Sequence, residues 1–269
     1  MPSYVIVGAS RGLGYQYLKT LSTNPSNKVI GLVRTPASVQ SKVSADNLPS
    51  NVHILQGDLT DPSSLNAAAA EASKITSAVD YLIVNGAFLP WETAHLTPLD
   101  FIGNEQAFID ELNASMSANV AGVMWSINAF IDLVKKSSVK KVIVVSSGMA
   151  DTELVGTTGI THSVSYAISK AGANMVVAKY AALYKSEGVV FLALSPGFVQ
   201  TQAEDPNNVP PEVAAGLDAL TKAFRKYEPN FEGPVLPEES VKSQLKVIEG
   251  ITIKDSGKFL SHLGTTRML

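Results

Sequence analysis

The sequence predicts an α/β fold, a doubly wound parallel sheet in three layers with helices on both faces. Three observations predict it. Short runs of consecutive apolar, largely β-branched residues recur along the 269 residues of the chain, the pattern of parallel strands buried on both faces. Each run is separated from the next by a stretch of mixed polarity long enough for a crossover helix. The first run ends in a glycine-rich turn, Gly8-Ala-Ser-Arg-Gly12-Leu-Gly14, that opens directly into a helical segment.

The runs place strands at 4–7, 28–33, 52–55, 81–84, 142–145 and 189–194. Helices are expected at 12–21, after the glycine turn, and at 62–77, where Asp61-Pro62 supplies a helix start. Two longer apolar segments, 108–134 and 165–186, complete the helical set. Only residues 200–238 break the rhythm, with six prolines and an excess of acidic side chains. They are expected to form a long loop with one short helix that acts as a substrate lid. No repeat or linker divides the chain, so residues 1–269 are expected to fold as one domain.

Composition narrows the function. The absence of cysteine excludes disulfides, thiolate metal sites and cysteine nucleophiles. A formal charge of −3 gives no basic surface for nucleic acid. The four histidines, at 53, 95, 162 and 262, show no ligand spacing, so no metal is expected. The start runs straight into the first strand without a leader, and no purely apolar run approaches the length of a membrane span. A cytoplasmic protein without membrane attachment is the expectation.

Right-handed crossovers put a ligand crevice beyond the carboxyl ends of the strands, and the candidate residues cluster at those ends. Around the first turn, Gly8, Ser10, Arg11, Gly12, Leu13 and Gly14 let the backbone approach a pyrophosphate favoured by the helix start. The same residues spell Gly8-x-Ser10-x-Gly12, the elbow of a hydrolase nucleophile, but no oxyanion loop precedes it. Arg34, twenty positions after Gly14, stands where an acidic residue would receive the adenosine ribose of NAD; with Arg11 it suits a 2′-phosphate, hence NADP(H). Asp58, followed by Leu59, ends the third strand and either accepts from the adenine amino group or caps the next helix. Asn85 and Gly86 end the fourth.

Tyr166 and Lys170 lie one helical turn apart, so a phenol and an ammonium share one face. A neighbouring cation favours the phenolate and brings it toward the working range of a general acid or base. Ser146 and Ser147 end a buried strand at the same sheet edge. Asn119 interrupts an apolar helical segment, where it disfavours regular helix and can hold a kink.

Taken together, Gly8-x-x-x-Gly12-x-Gly14, Asn119, Ser147 and Tyr166-x-x-x-Lys170 resemble the short-chain dehydrogenase/reductase family, of Rossmann-like fold, over nearly the whole chain. The resemblance implies that Tyr166 is the general acid in carbonyl reduction and the base in alcohol oxidation. It implies that Lys170 holds the nicotinamide ribose and lowers the Tyr166 pKa, that Ser147 orients the carbonyl and that Asn119 positions a water. It further implies that Pro196, Gly197, Val199 and Thr201 border the nicotinamide. Two departures stand out: Val84-Asn85-Gly86-Ala87 replaces the family's Asn-Asn-Ala-Gly, and nineteen positions separate Ser147 from Tyr166, so 150–162 is expected to be an enlarged loop at the pocket. Phe88, Leu89, Trp91, Met149 and Phe198 point to a hydrophobic ketone or aldehyde as the small-molecule partner. An NADP-binding sensor or scaffold without turnover, or an isomerase or dehydratase on the same scaffold, is the alternative reading. Pairing of the two long helices between copies would make a homo-oligomer.

Overall fold

A computed structural model describes residues 1–200 and 211–269. Its centre is a parallel sheet of β1 (Ser3–Val7), β2 (Lys28–Val33), β3 (Val52–Gln56), β4 (Tyr81–Val84), β5 (Lys141–Val145), β6 (Val190–Ser195) and β7 (Phe259–Ser261), in the order β3-β2-β1-β4-β5-β6-β7. The strand order reverses at β1. Val5 is in register with Ile30 of β2 on one side and Leu82 of β4 on the other, so the glycine turn after β1 opens where successive crossovers diverge.

The helices are α1 (Gly12–Ser22), α2 (Pro36–Ala45), α3 (Pro62–Ile75), α4 (Glu105–Met116), α5 (Gly122–Lys135), α6 (Thr152–Thr158), α7 (Val164–Leu183), α8 (Pro211–Phe224) and α9 (Pro237–Gly250). One core packs α3, α5 and α7 on the face carrying Val5, Ile30, Leu82, Val142 and Phe191. The other packs α1, α2 and α9 on the face carrying Ile6, Val29, Ile83, Ile143 and Leu192. Alternate residues of each strand therefore feed opposite cores, and a strand buried on both faces reads as an unbroken apolar run.

Four expectations need correction. The three-residue β7, which pairs Leu260 with Leu194, lies outside every expected strand because it is too short for a recognisable run. The expected loop at 150–162 folds into α6, with the Asp151 carboxylate accepting from the Leu154 amide at 2.7 Å and Gly159 closing it at φ +73°. In 200–238, the helix is no short excursion but the 14-residue α8; residues 201–210, and Thr201 with them, lie outside the described residues. Finally, α4 and α5 run on through a π-helical turn, Ser117–Ala121, and the combined stretch Glu105–Lys135 has the length and composition to cross a bilayer. Purely apolar runs gave no sign of it. Its Val123, Ile127, Phe130 and Val134 are buried in the core between α3 and the sheet.

Candidate active site

The glycine turn is built by close backbone approach. A Cβ on Gly8 would stand 2.4 Å from the Gly86 Cα, and one on Gly14 would stand 2.0 Å from the Gly8 carbonyl oxygen. Only glycine fits either position, and Gly8 also holds φ +84°. Asn85 locks the arrangement by donating from Nδ2 to the Gly8 carbonyl at 3.0 Å. Leu59 fills the space beside Gly86, its Cδ1 lying 2.3 Å from where a Cβ would go. The first turn of α1 has no side-chain cap, which leaves amide donors at Gly12, Leu13 and Gly14 facing the crevice.

Ser10, Arg11 and Arg34 are exposed at the carboxyl ends of β1 and β2. Neither arginine forms an ion pair among the described residues. Asp58 does not cap α3: Asp61 does, accepting from the Ser63 and Ser64 amides. One Asp58 oxygen takes the Thr60 amide and hydroxyl, at 2.9 and 2.8 Å, in a local turn.

At the ends of β4, β5 and β6 a cavity of about 500 Å³ opens. Leu13, Asn85, Ser147, Tyr166, Lys170, Pro196, Gly197 and Val199 all border it. Tyr166 and Lys170 reach it from successive turns of α7. The Lys170 ammonium is 3% exposed, donates to the Val145 carbonyl at 2.8 Å and sits 5.7 Å from the centre of the Tyr166 ring. Burial lowers its pKa to about 8. The phenol moves the other way: burial pushes Tyr166 above its ordinary value, and the Ser147 hydroxyl facing it pulls only partly back, without closing a standard hydrogen bond. The spacing of the pair suggested a phenol brought down by its lysine; burial instead sets the direction of the shift.

Of the two serines ending β5, Ser146 is spent, donating to Asn174 Oδ1 at 2.6 Å. Ser147 faces the cavity, and its oxygen also caps the following 3-10 turn by accepting from the Met149 amide at 3.2 Å. Asn119 lies apart from the cavity wall, fully buried in the π-helical turn. Its side chain accepts from the Phe88 amide at 2.7 Å and donates to the Phe88 carbonyl at 2.8 Å and to Ser169 Oγ at 2.9 Å. Ser169 in turn donates to the Tyr166 carbonyl. Asn119 thus holds the loop after β4 and the Tyr166 turn of α7 together, and every donor of its amide is engaged. Phe88 takes part through its backbone rather than as a wall of the cavity.

Several residues went unnoticed in the sequence. Glu111 accepts hydroxyl donors from both Thr93 and Ser165, and Ser163, left-handed at φ +59°, donates to the Ala94 carbonyl at 2.7 Å; these contacts pin the start of α7 to the loop after β4. His95 and His162 border the cavity, where burial and the proximity of His95 lower the His162 pKa. Leu220, Phe224, Met268 and Leu269 supply apolar lining from distant sequence. No short-range pattern marks any of these.

The sequence profile described as "short chain dehydrogenase" matches residues 3–210. The chain belongs to the short-chain dehydrogenase family. It is 43% identical to the short-chain dehydrogenase/reductase AacuF of Aspergillus aculeatus, over 272 residues and 100% of both chains. It is 40% identical to the short-chain dehydrogenase/reductase iacC of Pestalotiopsis fici, again over 100% of each. Among solved structures, an NADPH-bound carbonyl reductase from chicken fatty liver superposes with a TM-score of 0.78 at 23% identity, covering 98% of this chain and 93% of that one. The carbonyl reductase Sniffer of D. melanogaster gives 0.77 at 19% identity, covering 98% of each. The family consists of oxidoreductases that bind a nicotinamide cofactor. The glycine cradle, in which a Cβ would collide with backbone, and the uncapped helix start beside it fit the pyrophosphate of that group.

Proposed function

We propose that this protein reduces the carbonyl of a hydrophobic ketone or aldehyde with NADPH, or runs the reverse oxidation. The observation that carries this reading is the convergence of Ser147, Tyr166 and Lys170 on one mostly apolar cavity floored by Pro196 and Gly197. The reduced dinucleotide, when bound, supplies hydride to the carbonyl carbon. Tyr166, kept protonated by burial, then donates its hydroxyl proton to the carbonyl oxygen, which Ser147 orients. Lys170 presents a cation 5.7 Å from the centre of the Tyr166 ring and would donate to the ribose of the bound dinucleotide, while Asn119 acts on Tyr166 through Ser169 as a positioning residue. Gly8, Ser10, Arg11, Gly12, Leu13 and Gly14 would hold the pyrophosphate end, Asp58 and Leu59 the adenine, and Asn85 and Gly86 the neighbouring part of the dinucleotide. Pro196, Gly197 and Val199, which line the cavity, would border the nicotinamide, as would Thr201, which lies outside the described residues.

The preference for NADP rests on Arg34 and Arg11, exposed and without ion-pair partners among the described residues at the ribose position, and accords with the NADPH in the chicken enzyme. Segment 200–238 is read as a lid. Its ends are joined by the Val199–Val235 bridge, and Leu220 and Phe224 of α8 reach the cavity. Exposed Trp125 on α5 and Met175 and Leu183 on α7 support pairing of two copies through these helices.

Turnover of a panel of aryl ketones and aldehydes with NADPH tests the reading. Tyr166→Phe should lose a hundredfold or more in kcat, on the order of the general-acid contribution, with NADPH affinity retained; an unchanged rate overturns the role of the phenol. Arg34→Glu should shift preference toward NADH. Dinucleotide binding without turnover of any carbonyl would leave a binding protein instead.

A further inference from the structure

Part of the cavity wall comes from Met268 and Leu269, brought there from beyond β7. Met268 is 2% exposed and belongs to a small apolar cluster with Leu154, Ile160, Phe224 and Tyr227, separate from the two cores that flank the sheet. Its Cβ lies 3.3 Å from where a Cβ on Gly148 would stand, immediately after Ser147. Met268 and Leu269 therefore border the same space as Ser147 and Tyr166.

A polar clamp holds this wall against the turn that follows α8. The Arg267 guanidinium lies 4.4 Å over the centre of the Tyr227 ring, donates from Nη2 to the Tyr227 carbonyl and stands 3.7 Å from Glu228 Oε2. The Met268 amide donates to the Tyr227 hydroxyl at 3.4 Å, and the Arg267 carbonyl accepts from Thr265 Oγ1 at 2.9 Å. The backbone of 265–268 is thereby fixed, while the side chain that meets the cavity is unbranched and adaptable.

We propose that Met268 is a specificity-determining residue, limiting how far an aryl ketone extends beyond its carbonyl, and that Arg267 is the positioning residue that holds it. The inference rests on the carbonyl-reductase reading. Removing the γ-methylene, sulfur and terminal methyl of Met268 enlarges the cavity that Ser147 shares, without altering Tyr166, Lys170 or the glycine turn. Contacts of one or two methylenes in an apolar pocket change discrimination by about 10- to 200-fold.

The experiment compares acetophenone with the longer 2-acetonaphthone in the full-length protein. In Met268→Ala, kcat/KM for 2-acetonaphthone should rise about tenfold relative to acetophenone, with NADPH affinity unchanged and Met268→Leu close to wild type. Arg267→Ala should move the ratio in the same direction through KM, leaving kcat for acetophenone in place, and Arg267→Lys, which keeps charge but not the planar stack, should fall between. A folded Met268→Ala with an unaltered ratio overturns the proposal; if that variant does not fold, Arg267→Ala decides on the same criterion. Should wild type reduce neither ketone, the carbonyl-reductase reading fails separately. The wall is then measured by quenching of tryptophan fluorescence, since Trp91 borders the cavity: tighter 2-acetonaphthone binding in Met268→Ala upholds it, and equal binding overturns it.

Discussion

Lys170 carries an ammonium almost out of reach of solvent, with a single carbonyl, that of Val145, as its hydrogen-bond partner among the described residues. Its pKa falls from 10.5 to about 8 on folding, so the unfolded chain binds the proton more tightly than the native protein. Below pH 8 the native state therefore bears the full cost of a buried cation, on the order of 3 kcal/mol. That cost is relieved as pH rises from about 8 to 10.5. Stability of wild type relative to Lys170→Met should accordingly increase over this window and stay level below it. Denaturant melts of both proteins from pH 6 to 10 check the sign, and a pH-independent difference would show that the ammonium is better solvated than its burial indicates. The identity of this residue was legible in the sequence, because one helical turn from Tyr166 is a local relation. The direction of the Tyr166 shift was not, since it follows from burial, which spacing along a helix does not reveal.

A mid-helix asparagine in an apolar segment announces an irregularity, and the π-helical turn Ser117–Ala121 is that irregularity. Its partners were hidden. Phe88 lies 31 positions away and Ser169 lies 50, and neither carries a motif. Asn119→Ala removes three hydrogen bonds and leaves the part-buried Phe88 amide and carbonyl without this partner, while Ser169 keeps only its bond to the Tyr166 carbonyl, a loss of about 2 kcal/mol. Urea unfolding should register that loss, and kcat should fall while NADPH affinity changes little, because the clamp reaches Tyr166 rather than the glycine turn. Equal losses in kcat and in NADPH affinity would place Asn119 among general structural residues. Other elements divide in the same way: α3 was legible because Asp61-Pro62 is a self-contained start signal, whereas β7 exists only because β6 offers an edge to pair with.

At the scale of the molecule, the layered sheet was readable because β1, β2, β4, β5 and β6 are buried on both faces and write largely apolar runs, while β3 at the edge is only partly buried. What ties the first helix to the last was not readable, being a chain of polar contacts whose first link joins residues over two hundred positions apart. Tyr17 of α1, fully buried, donates to Gln244 Oε1 of α9 at 2.7 Å; Gln244 Nε2 donates to Ser240 Oγ at 2.9 Å; and Ser240 donates to the Pro196 carbonyl at 2.7 Å. The chain starts on the helix that follows the glycine turn and ends on the segment that floors the cavity. Tyr17→Phe alone strands the Gln244 oxygen in the core and should cost about 1–3 kcal/mol, as should Gln244→Leu by stranding the Tyr17 hydroxyl. Combined, the two changes leave neither group unpaired, so the double variant should lose clearly less than the sum of the single losses. A thermal-denaturation cycle over the four proteins measures this coupling, and strict additivity would mean that α1 and α9 are joined by apolar packing alone.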